Sequence, residues 1–211
     1  MKTKYVQYGC GLSAPTQWVN YDASPTLQIQ KAPVVGSLLK NQLNTHFPSN
    51  VKYGDIIKGL PEEVNSVDGL YSSHTLEHLS LADMRRALAN SYSLLKKGGI
   101  FRCVVPDLEY AAREYLHRLD SGDESASHFF MENTLLGVPQ RARGIKGLAS
   151  TYFGNAHHLW MWDRKSLAAE LRNAGFIDIR ECSFNDSEDP MFTHVEDPSR
   201  FEFSVALEAR K

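Results

Sequence analysis

Residues 4–22 read KYVQYGCGLSAPTQWVNYD, and the fold turns on this stretch. A short apolar-aromatic run, Tyr5 to Tyr8, meets Gly9-Cys10-Gly11. A second run, Trp18 to Tyr21, ends on an acid, Asp22. Strand, glycine turn, strand, acid is how open α/β sheets hold a ribose-bearing cofactor. The glycines let the backbone turn tightly beside the ligand, and the acid accepts hydrogen bonds from ribose hydroxyls. The glycine signature is incomplete: a full GxGxxG would place a third glycine where Ala14 stands.

Working outward, Ser24-Pro25 opens a short helix over Thr26 to Lys31, because proline at the first helical position sacrifices no hydrogen bond. A second helical segment is read at Val34 to Leu43, and Val51 to Ile57 reads as a strand carrying Asp55. Val67 to Ser73 is the next strand, followed by His74-Thr75-Leu76-Glu77-His78. Ser80 caps an amphipathic helix whose Leu81, Met84, Leu88, Tyr92 and Leu95 recur at helical spacing, with Gly98-Gly99 as its stop. Ile100 to Val105 is a buried strand ending at Pro106-Asp107. Leu108 to Leu119 and Ser125 to Leu136 read as helices, then a glycine-punctuated loop carries Arg141, Arg143 and Lys146. Asp163 is a good N-cap for a helix over Arg164 to Ala174, with Gly175 just past its end. Phe176 to Phe184 and Arg200 to Ala209 are the last strands, separated by an acidic, turn-rich run. Strands alternating with helices predict a mostly parallel sheet covered on both faces; the final pair, with no helix between, predicts an antiparallel edge.

The chain has 211 residues, 42% hydrophobic and 23% charged, which fits one globular domain over 1–211. A net charge of −2 provides no basic field for nucleic acid. The three cysteines form no CxxC and read as buried thiols of a cytoplasmic protein. No apolar run reaches the roughly 20 residues a bilayer needs, and the first residues lack a signal-peptide core.

At this point the chain resembles the class I S-adenosylmethionine-dependent methyltransferases, in particular the type 11 group. The residues that carry the likeness are YVQYGCG…WVNYDAS at 5–24, GDI at 54–56, VDGLYSSHTLEHL at 67–79, LLKKGGIFRCVVPD at 94–107 and WDRKSLAAELRNAGF at 162–176. The resemblance implies a Rossmann-like, doubly wound seven-stranded sheet, six strands parallel and the last inserted antiparallel next to the fifth. It implies S-adenosyl-L-methionine as cofactor. Gly9, Cys10 and Gly11, with Tyr8 beside them, would face its methionine part. Asp22, with Ala23, would bind the ribose. Asp55 and Ile56 would meet the adenine, and Ser73 and His74 would lie beside the methyl group. Two departures from the family pattern stand out. Only Leu12 to Gln17 separates the first two strands, so the first helix is trimmed away, and the helix between the third and fourth strands is nearly absent. A helical insertion at about 108–160 would cap the substrate.

His74 to His78 also matches HxxEH, an inverted zinc-peptidase pattern. The stretch straddles a strand end rather than lying on a helix, so no metal is expected; Glu77 reads as a structural residue at a helix start, favoured by the dipole. His157-His158 reads equally as loop hydrogen-bonders beside a Trp160–Trp162 core or as a base that takes a proton from an acceptor hydroxyl. Asp107 reads as a helix N-cap or as a partner facing the same edge. The acidic run Glu188 to Glu196 reads as a solvated turn. The candidate catalytic residues are therefore His74, His157, His158 and Asp107.

The functional expectation is methyl transfer to an oxygen, less readily a nitrogen, of a small polar or sugar-containing acceptor. No nucleic-acid or membrane partner is expected, and a homodimer is left open. Two other classes compete: a catalytically silent cofactor-binding homologue acting as partner or scaffold, and a nicotinamide-dependent oxidoreductase.

Overall fold

Tyr5 to Tyr8 are buried along their whole length, as the apolar run requires, and form the first strand, β1 (Tyr5–Tyr8), an interior strand of a seven-stranded sheet. The computed structural model describes residues 3–32, 45–140 and 157–211. The remaining elements are β2 (Val19–Asp22), α1 (Pro25–Lys31), β3 (Val51–Tyr53), β4 (Val67–Ser73), α2 (Leu81–Leu94), β5 (Leu95–Pro106), α3 (Leu108–Asp120), α4 (Ala126–Asn133), α5 (Arg164–Asn173), β6 (Ile177–Glu181) and β7 (Ser204–Arg210). The strand order is β3-β2-β1-β4-β5-β7-β6. Val6 pairs with Val19 on one side and Leu70 on the other, both parallel, and Leu70 pairs with Phe101, again parallel. β7 runs antiparallel to both neighbours, pairing Leu207 with Cys103 and Glu181. The expected Rossmann-like sheet, with its last strand inserted beside the fifth, is the one observed.

The trimmed crossover is also observed: Gly9 to Trp18 make turns and no helix. Two buried amides hold it in place. Gln7 Nε2 donates to Asn20 Oδ1 at 2.6 Å and to the Ser13 carbonyl at 2.7 Å, and Asn20 Nδ2 donates to the carbonyls of Pro15 and Trp18. Backbone groups that a helix would satisfy internally are thus satisfied by side chains of β1 and β2. The sheet face left bare by the missing helix is covered from the other end of the chain. Phe192, fully buried in a 3-10 turn over Pro190–His194, packs edge-on against Trp18 and Tyr71, and Trp18 Nε1 donates to the Met191 carbonyl. Burying aromatics of this size stabilises by about 1.5–3 kcal/mol each. The run Glu188 to Glu196 is therefore no solvated turn. Its aromatic residue fills a helix-sized gap, and Glu196 is buried against Arg102.

Several boundaries differ from the sequence reading for local reasons. β3 stops at Tyr53, because Asp55 folds back to accept the Ile57 amide and starts a turn. β5 begins at Leu95, directly from α2; the Lys96–Gly99 segment is an irregularity within the strand rather than a helix stop. β7 starts at Ser204 because a 3-10 turn over Pro198–Arg200 and a positive φ at Phe203 precede it. Trp162 is buried, but Trp160 is 44% exposed and is not core. The helix read at Val34 to Leu43 and the basic residues Arg141, Arg143 and Lys146 lie outside the described residues. The three cysteines are buried and unpaired. Among the described residues, no helix is long and apolar enough to cross a membrane.

Candidate active site

The carboxyl ends of β1, β2, β3 and β4 open into a cavity of about 700 Å³, the place where open α/β sheets take ligands and a size suited to a small-molecule cofactor. Tyr8, Gly9, Asp22, Ala23, Asp55, Ile56 and His74 line it, together with Phe47, Lys58, Thr75, His78 and Leu159. Gly9 sits at φ +63, and a Cβ there would fall 2.0 Å from Thr75 Oγ1, so backbone alone can form this wall. The Asp22 carboxylate accepts the Gly11 amide at 2.9 Å and the Ser24 amide at 2.8 Å. These bonds fix the glycine turn to the tip of β2 and leave each oxygen further acceptor capacity toward the cavity.

Not every residue expected at the cofactor faces it. Cys10 turns inward and packs with Leu27, Phe47 and Val51; burial pushes its thiol up to about 12, so it is inert packing. Gly11 contributes its amide to Asp22 rather than a wall to the cavity. Ser73 accepts Thr75 Oγ1 at its carbonyl, while its own hydroxyl is buried without a partner among the described residues.

A second cavity, of about 470 Å³, lies between the tip of β5, α3 and α4. Asp107, Tyr110, Arg118, Phe130, His158 and Phe203 are among its walls, and His74 lines both cavities. Asp107 does cap α3, with Oδ1 accepting the Glu109 amide at 2.8 Å, and its backbone bridges to Trp162. The 157–162 segment therefore crosses the carboxyl edge of the sheet. His158 is buried there, whereas His157 is exposed and contributes its carbonyl, which accepts from His78 Nδ1 at 3.1 Å.

Glu77 does not sit at the start of α2, contrary to what its place in the sequence suggests. It lies in a 3-10 turn over Leu76–His78, ahead of α2, which Ser80 caps through the Asp83 amide. Its side chain is 0% exposed, and neither carboxylate oxygen meets a hydrogen-bond donor from another described residue. Burial pushes its pKa up to about 8. His74, His78 and His158 surround it at 3.5, 3.9 and 4.0 Å. Burial lowers the pKa of all three, and that of His158 falls to about 4, with the neighbouring His78 adding to the effect. The HxxEH spacing was the sequence signal for this cluster; the arrival of His158 was not readable from it.

Residues 6–103 match the family described as methyltransferase domain, a span that runs from β1 through most of β5 and holds the first cavity's walls almost entirely. Over this span, a little under half of its length, the chain is similar to a methyltransferase domain. Solved structures share the fold. A Thermotoga maritima S-adenosylmethionine-dependent methyltransferase, described as a possible histamine N-methyltransferase, superposes with a TM-score of 0.51 at 17% identity, over 100% of this chain and 83% of that one. An Archaeoglobus fulgidus S-adenosylmethionine-dependent methyltransferase gives 0.51 at 15% identity, over 99% and 86%. A Haloferax volcanii putative methyltransferase structure, solved in complex with the Trm112 activator, gives 0.50 at 15%, over 99% and 81%. No curated protein sequence matches the chain.

The cavity fits the cofactor of such a methyltransferase on its own evidence: an acid at the tip of the second strand, a cradle at Gly9 that a Cβ would fill, and a further acid, Asp55, at the end of β3. What this site lacks is the helix N-terminus that usually follows the glycine turn.

Proposed function

We propose that the domain transfers a methyl group from S-adenosylmethionine to an oxygen, less readily a nitrogen, of a small polar or sugar-containing acceptor seated in the second cavity. The observation that carries this is His74, which lines both the cofactor cavity and the cavity walled by α3 and α4. A donor in one and an acceptor in the other would meet at that wall, which is the alignment displacement requires.

The roles follow from position. Asp22 and Ala23 would hold the ribose, Asp55 and Ile56 the adenine, and Tyr8 and Gly9 would border the methionine end. The cofactor supplies an electrophilic methyl group. This chain's residues orient the two partners and keep water from the joint. Burial lowers the His74 pKa and so favours the neutral imidazole at the wall where the acceptor hydroxyl's proton is released. Asp107 and His158 wall the acceptor side, and the aromatic rings of Tyr110, Phe130 and Phe203 suit stacking on a sugar or other flat face. The insertion that carries α3 and α4 acts as the substrate cap.

Calorimetry of the purified protein tests the reading. S-adenosylmethionine or its demethylated product binds, and NAD does not; the opposite result removes the methyltransferase assignment of this cavity. Asp22→Ala weakens that binding about 10- to 100-fold, the cost of a charge-assisted hydrogen bond of 1.5–3 kcal/mol. Unchanged affinity in both Asp22→Ala and the isosteric Asp22→Asn would show that the ribose lies elsewhere.

A further inference from the structure

The wall between the two cavities contains an arrangement that neither methyl transfer nor packing requires. Glu77 Oε1 lies 3.5 Å from His74 Nδ1, 3.9 Å from His78 Nε2 and 4.0 Å from His158 Nε2. One ligating atom each from Glu77, His78 and His158 all fall within 4.8 Å of one another. The carboxylate is fully buried, and both of its oxygens lack a donor among the described residues.

The hydrogen bonds on the far side of two rings settle which nitrogens face inward. His78 Nδ1 meets the His157 carbonyl at 3.1 Å, and His74 Nε2 meets the Arg200 carbonyl at 2.9 Å. A carbonyl only accepts, so those nitrogens carry the hydrogens. In the neutral rings, His78 Nε2 and His74 Nδ1 therefore turn lone pairs toward Glu77. A ring nitrogen held by a carbonyl while its other nitrogen points inward is the support that metal-ligating histidines ordinarily have. Lone pairs facing a buried carboxylate repel one another unless a proton or a metal cation stands between them.

We infer that Glu77, His78 and His158 bind a divalent transition-metal ion, with His74 at its margin. Two imidazoles and a carboxylate suit ions of the zinc, iron and manganese type, and three protein ligands leave positions open for water or substrate. Bonds of about 2.0–2.2 Å place ligand atoms roughly 3.3–3.6 Å apart, so the set closes with side-chain shifts of up to about 1 Å. His78 lines the cofactor cavity and His158 the second cavity, so the open positions face the joint between them. An acceptor hydroxyl, or two neighbouring hydroxyls, would complete the coordination. This last point rests on the proposed methyl transfer; the metal site does not. His74 is held at φ +49, a conformation rare for a residue with a side chain, and the turn that aims it is consistent with a maintained site.

The test uses the full chain, stripped with a chelator and then titrated separately with Zn²⁺ and Mn²⁺. Binding is followed by calorimetry, and metal content after desalting by elemental analysis. The expected result is one equivalent of at least one of these ions in the wild type. Affinity falls at least tenfold in Glu77→Gln and in His158→Ala, and is unchanged in His128→Ala, which alters an exposed histidine on α4. Binding of the demethylated cofactor product, measured on the same variants, reports folding and the first cavity independently. If it is retained while metal binding is lost, the site is confirmed. If no ion binds stoichiometrically to a wild type that still binds cofactor product, or if His158→Ala leaves metal affinity intact, the inference is overturned, and the cluster is held by shared protons. Failure of all variants and wild type to bind the cofactor product would count against the methyltransferase reading while leaving the metal result to stand on its own.

Discussion

Arg102 and Glu77 are both buried charged residues, yet the Arg102 guanidinium meets four acceptors and the Glu77 carboxylate meets no donor among the described residues. Arg102, on β5, donates to Glu196 at 2.6 Å, to Glu208 at 2.8 Å, and to Asp186 and the Ser183 carbonyl at 3.0 Å. Arg180 supports the same acids from the edge strand, bonding the other oxygen of Glu208 at 2.9 Å. Each polar atom there is spoken for, and the cluster ties the 183–208 segment onto the sheet face that lost its helix. The Glu77 cluster ties nothing to anything through its carboxylate. A closed network specifies a fold; an open one, walled by two cavities, is available for a ligand.

That contrast can be broken in three ways. The largest effect is expected from Arg102→Ala, which strands two buried acids. Breaking a buried ion pair from one side costs about 3–5 kcal/mol, readable as a drop in unfolding free energy by urea denaturation at neutral pH. A loss below about 1 kcal/mol would show that the network is ornamental. Next comes the response to acid. Burial raises the Asp186 carboxyl, but bonds from Arg180, the Ser183 amide and Arg102 outweigh it and hold the pKa at about 2, below the ordinary 3.8. Folded Asp186 therefore binds fewer protons than unfolded Asp186 between these values. Its contribution is complete above pH 3.8 and is lost as pH falls toward 2. Unfolding free energy measured across that interval should fall less steeply in Asp186→Asn than in the wild type; equal slopes would remove Asp186 from the network.

The smallest effect is expected at Glu77. In metal-free protein, Glu77→Gln should change unfolding free energy by no more than about 1 kcal/mol, because the amide keeps the volume and brings a donor to the facing lone pairs. A loss as large as that of Arg102→Ala would make Glu77 a structural keystone and erase the distinction. Adding saturating metal sharpens the same comparison. It should raise the melting temperature of the wild type, since a ligand bound only by the folded state stabilises it, and leave Glu77→Gln unmoved.

The parts of this protein that were legible in its sequence are those governed by neighbours along the chain. Val67 to Ser73 reads as a strand and is one, residue for residue. Ser80 and Asp163 were legible as caps because a side-chain oxygen two or three residues ahead of an amide is a local device. Asp22 was legible at a strand tip after a glycine turn, and it does line the cavity. The misreadings share a cause. Cys10 sits in the glycine turn but points into a core formed with Leu27, Phe47 and Val51, and no spacing rule says which way a turn residue faces. Trp160 and Trp162 are two residues apart, and only one is buried. The acidic run Glu188 to Glu196 looked solvated because its partners, Trp18 and Arg102, are far away in sequence.

By itself, then, the sequence determined the alternating strands and helices, the absence of the first helix, and the acid at the end of β2. These follow from backbone preferences, hydrophobic period and caps, all of which act over a few residues. Only the tertiary structure decided what replaces the missing helix, namely Phe192 against Trp18 with Arg102 closing the acids behind it. Only it brought His158 to Glu77, across a separation that no local pattern spans. The physical reason is the same in both cases. Burial removes water from groups that must then find partners wherever the fold has brought them, and which partners those are is set by packing over the whole chain rather than by the residues on either side.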